Sequence, residues 1–225
     1  GIQEILVTNY RLNRNFCWKQ VDTLFVDVAP LYGLRGHDKQ GYFGHSIGAD
    51  WSDIDKDGDL DLFIANLAHP RFLDISDTSM LLRNDGLNYR VVEGDSVYFW
   101  QFTDITKAAG ISYDELHSDP LFIDADNDGY PDLFITSIYE IDRSYLYRNN
   151  GDGTFTDITW LAGARVYNGW GNAAGDLDRD GLLDIVVGSG NGTRVLHNRT
   201  KTKNKSVMIK PVWTDDEIVI SSNPS

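Results

Sequence analysis

Carboxylates at alternate positions, closed by a glycine, can wrap a hard cation, and this 225-residue chain carries three such loops. They read Asp53-Ile-Asp55-Lys-Asp57-Gly58-Asp59-Leu-Asp61, Asp124-Ala-Asp126-Asn-Asp128-Gly129-Tyr130-Pro-Asp132 and Asp176-Leu-Asp178-Arg-Asp180-Gly181-Leu182-Leu-Asp184. Positions one, three, five and nine are acids in every copy. Four carboxylates packed this closely repel one another. Calcium takes six to eight oxygen ligands and would relieve that repulsion. The four acids supply side-chain ligands, and the backbone carbonyl at position seven (Asp59, Tyr130 or Leu182) supplies a fifth. The expected cofactor is calcium, about three ions in all.

The loops are not EF-hands, which need a bidentate Glu at position twelve between two helices. Position twelve is Ile64, Ile135 or Val187. An apolar run follows each ninth acid at once: Leu62-Phe63-Ile64, Leu133-Phe134-Ile135 and Ile185-Val186-Val187. Short apolar runs behind a glycine turn read as buried β-strands. Each loop therefore joins two strands.

Two further patterns recur. Phe25-Val-Asp27, Phe102-Thr-Asp104 and Phe155-Thr-Asp157 are each followed, eight residues after the Phe, by Gly33, Gly110 or Gly163. Leu82-Arg83-Asn84, Tyr147-Arg148-Asn149 and Leu196-His197-Asn198 follow the three apolar runs. Repeat starts at 25, 102 and 155 give periods of 77 and 53 residues. Repetition on this scale, with several short strands per unit, points to propeller blades. The start of the chain continues the pattern. Glu4-Ile5-Leu6-Val7 aligns with Asp61-Leu62-Phe63-Ile64, and Asn13-Arg14-Asn15 matches the Leu-Arg-Asn signature. The chain thus opens at the glycine of a fourth loop, as a piece of something longer or as a blade that a neighbour completes.

Residues 146–159 and 175–188 together resemble the FG-GAP/VCBS repeat family, which includes the integrin α-subunit propeller and the cartilage acidic protein group. The resemblance spans roughly residues 1–212. It implies an all-β fold of propeller-type blades, each a four-stranded antiparallel sheet with a calcium-binding hairpin loop. It also implies an extracellular or cell-surface role in adhesion or ligand binding. About four blades fit this chain, whereas propellers of this family usually have seven. The expected division is a partial blade at 1–24, a blade with insertions at 25–101, blades at 102–154 and 155–212, and a C-terminal extension or strand at 213–225.

The net charge of −14 comes mostly from the loop aspartates. Three calcium ions would bring it to about −8, so the acidity reads as metal-binding. No basic stripe for nucleic acid exists, and no membrane span is visible. The single Cys17 precludes an internal disulfide and reads as a small core residue. Three glycosylation sequons start at Asn191, Asn198 and Asn204.

Gly44-His45-Ser46-Ile47-Gly48 matches the Gly-x-Ser-x-Gly nucleophile elbow, but that motif needs a strand-to-helix turn in an α/β sheet. A small-residue strand near the propeller axis is the alternative reading. His45 and His117 occupy equivalent places ahead of two loops, with Trp170 in that place ahead of the third. They are either a ligand site at the channel mouth, suited to a carbohydrate, or packing groups between blades. Two insertions, 66–79 and 87–101, are candidate partner contacts, because binding residues concentrate on loops of rigid scaffolds. The expected function is a calcium-stabilised, non-catalytic binding or adhesion module for a protein or glycan ligand. Two alternatives stay open. One is a carbohydrate-active enzyme on a propeller scaffold. The other is self-association into a filament through open strand edges, with residues 216–221 echoing residues 3–8.

Overall fold

The computed structural model describes residues 3–67, 74–112, 116–203, 209–214 and 217–222. Its strands follow one another as antiparallel meanders. The first sheet comprises β1 (Ile5–Val7), β2 (Phe16–Val21) and β3 (Leu24–Asp27), followed by a helical turn, α1 (Ala29–Tyr32). The second comprises β4 (Ser46–Ser52), β5 (Asp61–Asn66), β6 (Met80–Val92) and β7 (Asp95–Asp104). The third comprises β8 (His117–Ile123), β9 (Asp132–Ser137), β10 (Tyr145–Asn149) and β11 (Phe155–Asp157), with the turn α2 (Thr159–Ala162) behind it. The fourth comprises β12 (Gly169–Gly175), β13 (Asp184–Ser189) and β14 (Arg194–Leu196). A separate hairpin pairs β15 (Ile209–Thr214) with β16 (Glu217–Ser222). The helical turns of the described residues are four residues long, and none could cross a membrane.

The sheets stack face to face like blades. Strands β5, β9 and β13 follow the three acidic loops; the apolar runs of β5 and β9 are buried on both faces, while β13 buries Ile185 and Val187 on one face and leaves Val186 half-buried on the other. Alternate side chains on a strand point to opposite faces. Leu62 and Ile64 accordingly pack with Cys17, Val28 and Tyr32 of the first sheet and its turn, while Phe63 and Ala65 pack with Leu133, Ile135 and Tyr147 of the third. Phe134 faces the other way, onto Ile185 and Val187 of the fourth. Burial of each large side chain contributes about 1.5–3 kcal/mol. Burial also pushes the Cys17 thiol up to about 11, consistent with a core residue and not a reactive one.

Strands β4, β8 and β12 run side by side at the inner edge of the stack. This crowding accounts for the Gly-x-Ser-x-Gly sequence. A Cβ on Gly48 would lie 2.5 Å from the Ser118 carbonyl oxygen of β8, and one on Gly44 would collide with the Asn66 side chain. Ser46 is buried on strand β4, and its hydroxyl donates to Asn66 Oδ1 at 2.8 Å. No strand-to-helix turn exists there, so the hydrolase motif is a packing device.

The glycines eight residues after each Phe also gain a reason. Gly33 and Gly163 cap α1 and α2 in the left-handed conformation, and Gly110 behind the second sheet is left-handed too, with φ 78°.

Two sequence expectations are corrected by register. Ile5, Leu6 and Val7 pair with Trp18, Cys17 and Phe16, as Leu62, Phe63 and Ile64 pair with Leu82, Leu81 and Met80. The alignment of the N-terminal strand stands, with Glu4 in the ninth-acid place. The Leu-Arg-Asn signature, however, falls on Trp18-Lys19-Gln20, not on Asn13-Arg14-Asn15. Lys19 lies 3.5 Å from Glu4.

The second correction concerns phase. Each Phe-x-Asp segment closes a sheet as its outer strand, so 25–101 joins the last strand of one sheet to most of the next. A boundary at 212 falls inside β15. Periodicity in a sequence reports the length of the unit but not where hydrogen bonding starts it.

The insertions differ in kind. The first lies between β5 and β6, with residues 68–73 outside the described set. The second is no loop: it extends β6 and β7 into a long hairpin whose Leu87, Tyr89, Val91 and Tyr98 are exposed.

Gly48→Ala should lower stability by about 1–3 kcal/mol, because the methyl meets backbone that cannot yield. Denaturant unfolding of the variant tests this; a change under about 0.5 kcal/mol would contradict the close approach.

Candidate metal centres

Each acidic loop is built the same way. The position-one carboxylate accepts the N–H groups of positions five and six: Asp53 from Asp57 and Gly58, Asp124 from Asp128 and Gly129, Asp176 from Asp180 and Gly181, all at 2.9–3.1 Å. The position-five carboxylate accepts the N–H of position seven, from Asp59, Tyr130 or Leu182. Position six is left-handed glycine in each copy. Position four is left-handed as well, at Lys56, Asn127 and Arg179, a feature not legible from residue spacing.

The ninth acid sets the loop on the sheet. One oxygen of Asp61 accepts the Ile54 N–H at 2.9 Å, and the other accepts the Asn84 N–H of β6 at 2.8 Å. Asp132 takes Ala125 and Asn149 in the same way, and Asp184 takes Leu177 and Asn198. All three are buried. Burial pushes Asp61 up to about 6 and Asp132 up to about 7, against the N–H groups that favour the anion. Burial is outweighed at Asp184 by the Asn198 and Leu177 N–H groups and by His197, and its carboxyl lies below the ordinary value. His197 stands 3.3 Å from Asp184 and 3.8 Å from Asp178, in the place where the other repeats carry Arg.

The donor set suits a hard divalent cation. Asp53, Asp55 and Asp57 bring ligand oxygens within 4.8 Å of one another, as do Asp124, Asp126 and Asp128. In the third loop the group is Asp176, Asp178 and Asp184. Asp61 and Asp132 stand outside the first two groups and Asp180 outside the third. Burial and mutual repulsion both raise Asp55 and Asp124, with burial the larger cause. A bound cation would remove the repulsion within each group and favour the buried anions.

Links between blades surround these loops. The side chain of Asn149 donates to the Ile54 carbonyl of the first loop at 2.9 Å and to the Pro131 carbonyl of the second at 3.1 Å. Asn198 repeats this one blade on, with Ala125 at 2.7 Å and Leu183 at 3.2 Å. At 149 and 198 the recurrent Asn of the third pattern is therefore a clamp between successive loops, whereas the Asn84 side chain donates to the Leu60 carbonyl of its own loop. Asp50 accepts the Phe122 N–H and Asp119 the Asn172 N–H, tying inner strand to inner strand. Sequence reasoning passed over these two acids, although both precede a loop on an inner strand.

The expected channel-mouth site does not assemble. His117 pairs across from Ser137, as Ser46 pairs across from Asn66 and Gly169 across from Ser189. His117 is thus equivalent to Ser46 and Gly169; His45 comes one residue before that place and Trp170 one after. On a strand such an offset changes the face. His45 is buried beside the Tyr10 ring, and His117 is buried against Tyr145, with Nδ1 2.9 Å from Ser79 Oγ. Trp170 is 57% exposed, its Nε1 donating to Asn168. The imidazoles are packing groups between blades.

Residues 124–187, from the second loop through the third loop into β13, match the FG-GAP-like repeat family. An 81-residue stretch, 35% of this chain, is 40% identical to cartilage acidic protein 1 of Xenopus tropicalis and covers 12% of it. A 64-residue stretch, 28% of the chain, is 41% identical to cartilage acidic protein 1 of Homo sapiens and covers 10% of it. The chain thus spans about a tenth of the length of the curated relatives it matches.

Asn149→Ala leaves two backbone carbonyls without this donor and should cost about 1–3 kcal/mol. Chemical unfolding in chelator checks this without any metal contribution; wild-type stability would mean that the clamp carries no weight.

Proposed function

We propose that this chain is part of a calcium-stabilised extracellular binding module, non-catalytic and built from propeller-type blades. The observation that carries the reading is the threefold recurrence of one loop geometry, each copy gathering three carboxylates beside a sheet. An acidic turn without a metal role has no need to repeat its hydrogen bonds residue for residue. Calcium would hold each loop closed and offset the cost of burying the ninth acid. The FG-GAP-like repeat and the likeness to proteins whose name refers to cartilage support a place outside the cell. The one hydrolase-like motif is a packing device. The exposed face of the β6–β7 hairpin, with Leu87, Tyr89, Val91 and Tyr98, suits contact with a protein or glycan ligand. Filament formation through residues 216–221 stays the alternative; residue 216 lies outside the described residues, and β16 pairs with β15 along one edge.

Calcium titration by calorimetry, paired with thermal melting in calcium and in chelator, tests the reading. At calcium 100-fold above Kd, each site adds about 2.7 kcal/mol. Each kcal/mol moves Tm by about 2–4 °C for a chain of this size. Chelator should therefore lower Tm by about 16–32 °C, with about three ions bound. Absence of binding would overturn the reading.

The sequons separate under the same proposal. Asn191 lies exposed in the turn between β13 and β14 and is open to a glycan. Asn198 commits its amide to two carbonyls and is closed to one. Asn204 lies outside the described residues. Secretion from a glycosylating host, followed by peptide mass measurement, should find glycan on Asn191 and none on Asn198. The reverse pattern would contradict the clamp.

A further inference from the structure

The three loops are not separate units on a common scaffold. Position four of each of the first two loops reaches the next loop. Lys56 places Nζ 3.6 Å from the centre of the Tyr130 ring, and a Cβ on Gly129 would lie only 2.9 Å from that nitrogen. One blade on, Asn127 donates from its side chain to the Gly181 carbonyl at 3.0 Å. These contacts fall on positions six and seven, the turn that closes the receiving loop. They join the same pairs of loops that Asn149 and Asn198 clamp from the β10 and β14 sides. Every neighbouring pair is therefore tied twice, once across the loop tips and once at the loop base. The tip links depend on left-handed backbone at Lys56 and Asn127. A non-glycine residue adopts that conformation only where its surroundings hold it.

We propose that the loops form a coupled series, in which metal binding at one loop raises the affinity of its neighbours through Lys56, Asn127, Asn149 and Asn198. The proposal rests on the calcium reading above. Binding orders a loop, and a loop already held by an ordered neighbour loses less freedom when its own ion arrives. The middle loop, Asp124–Asp132, is linked on both sides and dominates the series. Like charge on neighbouring filled loops acts the other way. It acts through solvent, where the Debye length is about 8 Å at physiological salt, whereas the links are direct contacts.

The test is calcium calorimetry on the intact chain and three variants. Asp126→Asn weakens the middle loop alone. If the loops are coupled, the first and third loops should then bind at least about fivefold more weakly than in the unmodified chain. Asn127→Ala leaves every acid in place and touches no core residue. It should weaken the second and third loops together, and in the Asp126→Asn/Asn127→Ala double variant the further loss at the third loop should be smaller than the loss Asp126→Asn causes alone, because only the Asn198 link then remains. Far-ultraviolet circular dichroism in chelator confirms that each variant is folded, and Asn127→Ala alone decides the matter if Asp126→Asn is not. Unchanged affinity of the outer loops beside a crippled middle loop, or of the second and third loops in Asn127→Ala, overturns the coupling and leaves the calcium reading standing. No binding to the unmodified chain overturns both.

Discussion

A buried aspartate that accepts two backbone N–H groups is the constraint on which the rest of this fold depends. Asp61 and Asp132 each join the second residue of an acidic loop to the third strand of the same sheet, and Asp184 joins it to Asn198 just beyond that strand. The same residue opens the middle strand. One side chain thereby sets where the loop ends, where the strand begins and how the third strand registers against it. A carboxylate can do this because it offers two acceptor oxygens in one plane. Its cost is desolvation, expressed in the raised values at Asp61 and Asp132. The third copy meets that cost differently, with His197 beside Asp184.

Stacking follows from the same arrangement. A strand that starts at a buried acid and runs on as unbroken apolar sequence cannot lie at a solvent face. β5 and β9 are each covered on both sides by neighbouring sheets, which is why the core divides into clusters between sheets and not within one. Close approach of the inner strands then demands small residues, met by Gly48. Polar cross-links at the inner strands and at the loops hold the spacing, so the blades are joined by directional bonds as well as by apolar contact.

The recurrent asparagine gains its meaning only in this setting. Its backbone N–H serves its own loop through the ninth acid, and at Asn149 and Asn198 its side chain serves the preceding loop as well. The three patterns visible in the sequence are thus parts of one mechanical unit spread over two blades. That arrangement gives neighbouring acidic loops a physical path for influencing one another.

The residue sequence by itself determined the loop positions, the apolar strands behind them, the all-β class and the number of units, because these depend on local spacing and side-chain chemistry. It also marked Gly33, Gly110 and Gly163, whose left-handed backbone is a local need. Only the tertiary structure decided the phase of the sheets, because a period has no origin until strands pair. Register likewise moved the N-terminal signature from Asn13-Arg14-Asn15 to Trp18-Lys19-Gln20. His45 and His117 looked equivalent at a distance of one residue, and on a strand one residue changes the face. The links from Lys56 to Tyr130 and from Asn149 to Ile54 were beyond any reading of spacing. They join residues far apart in the chain that meet only because one blade stacks on the next.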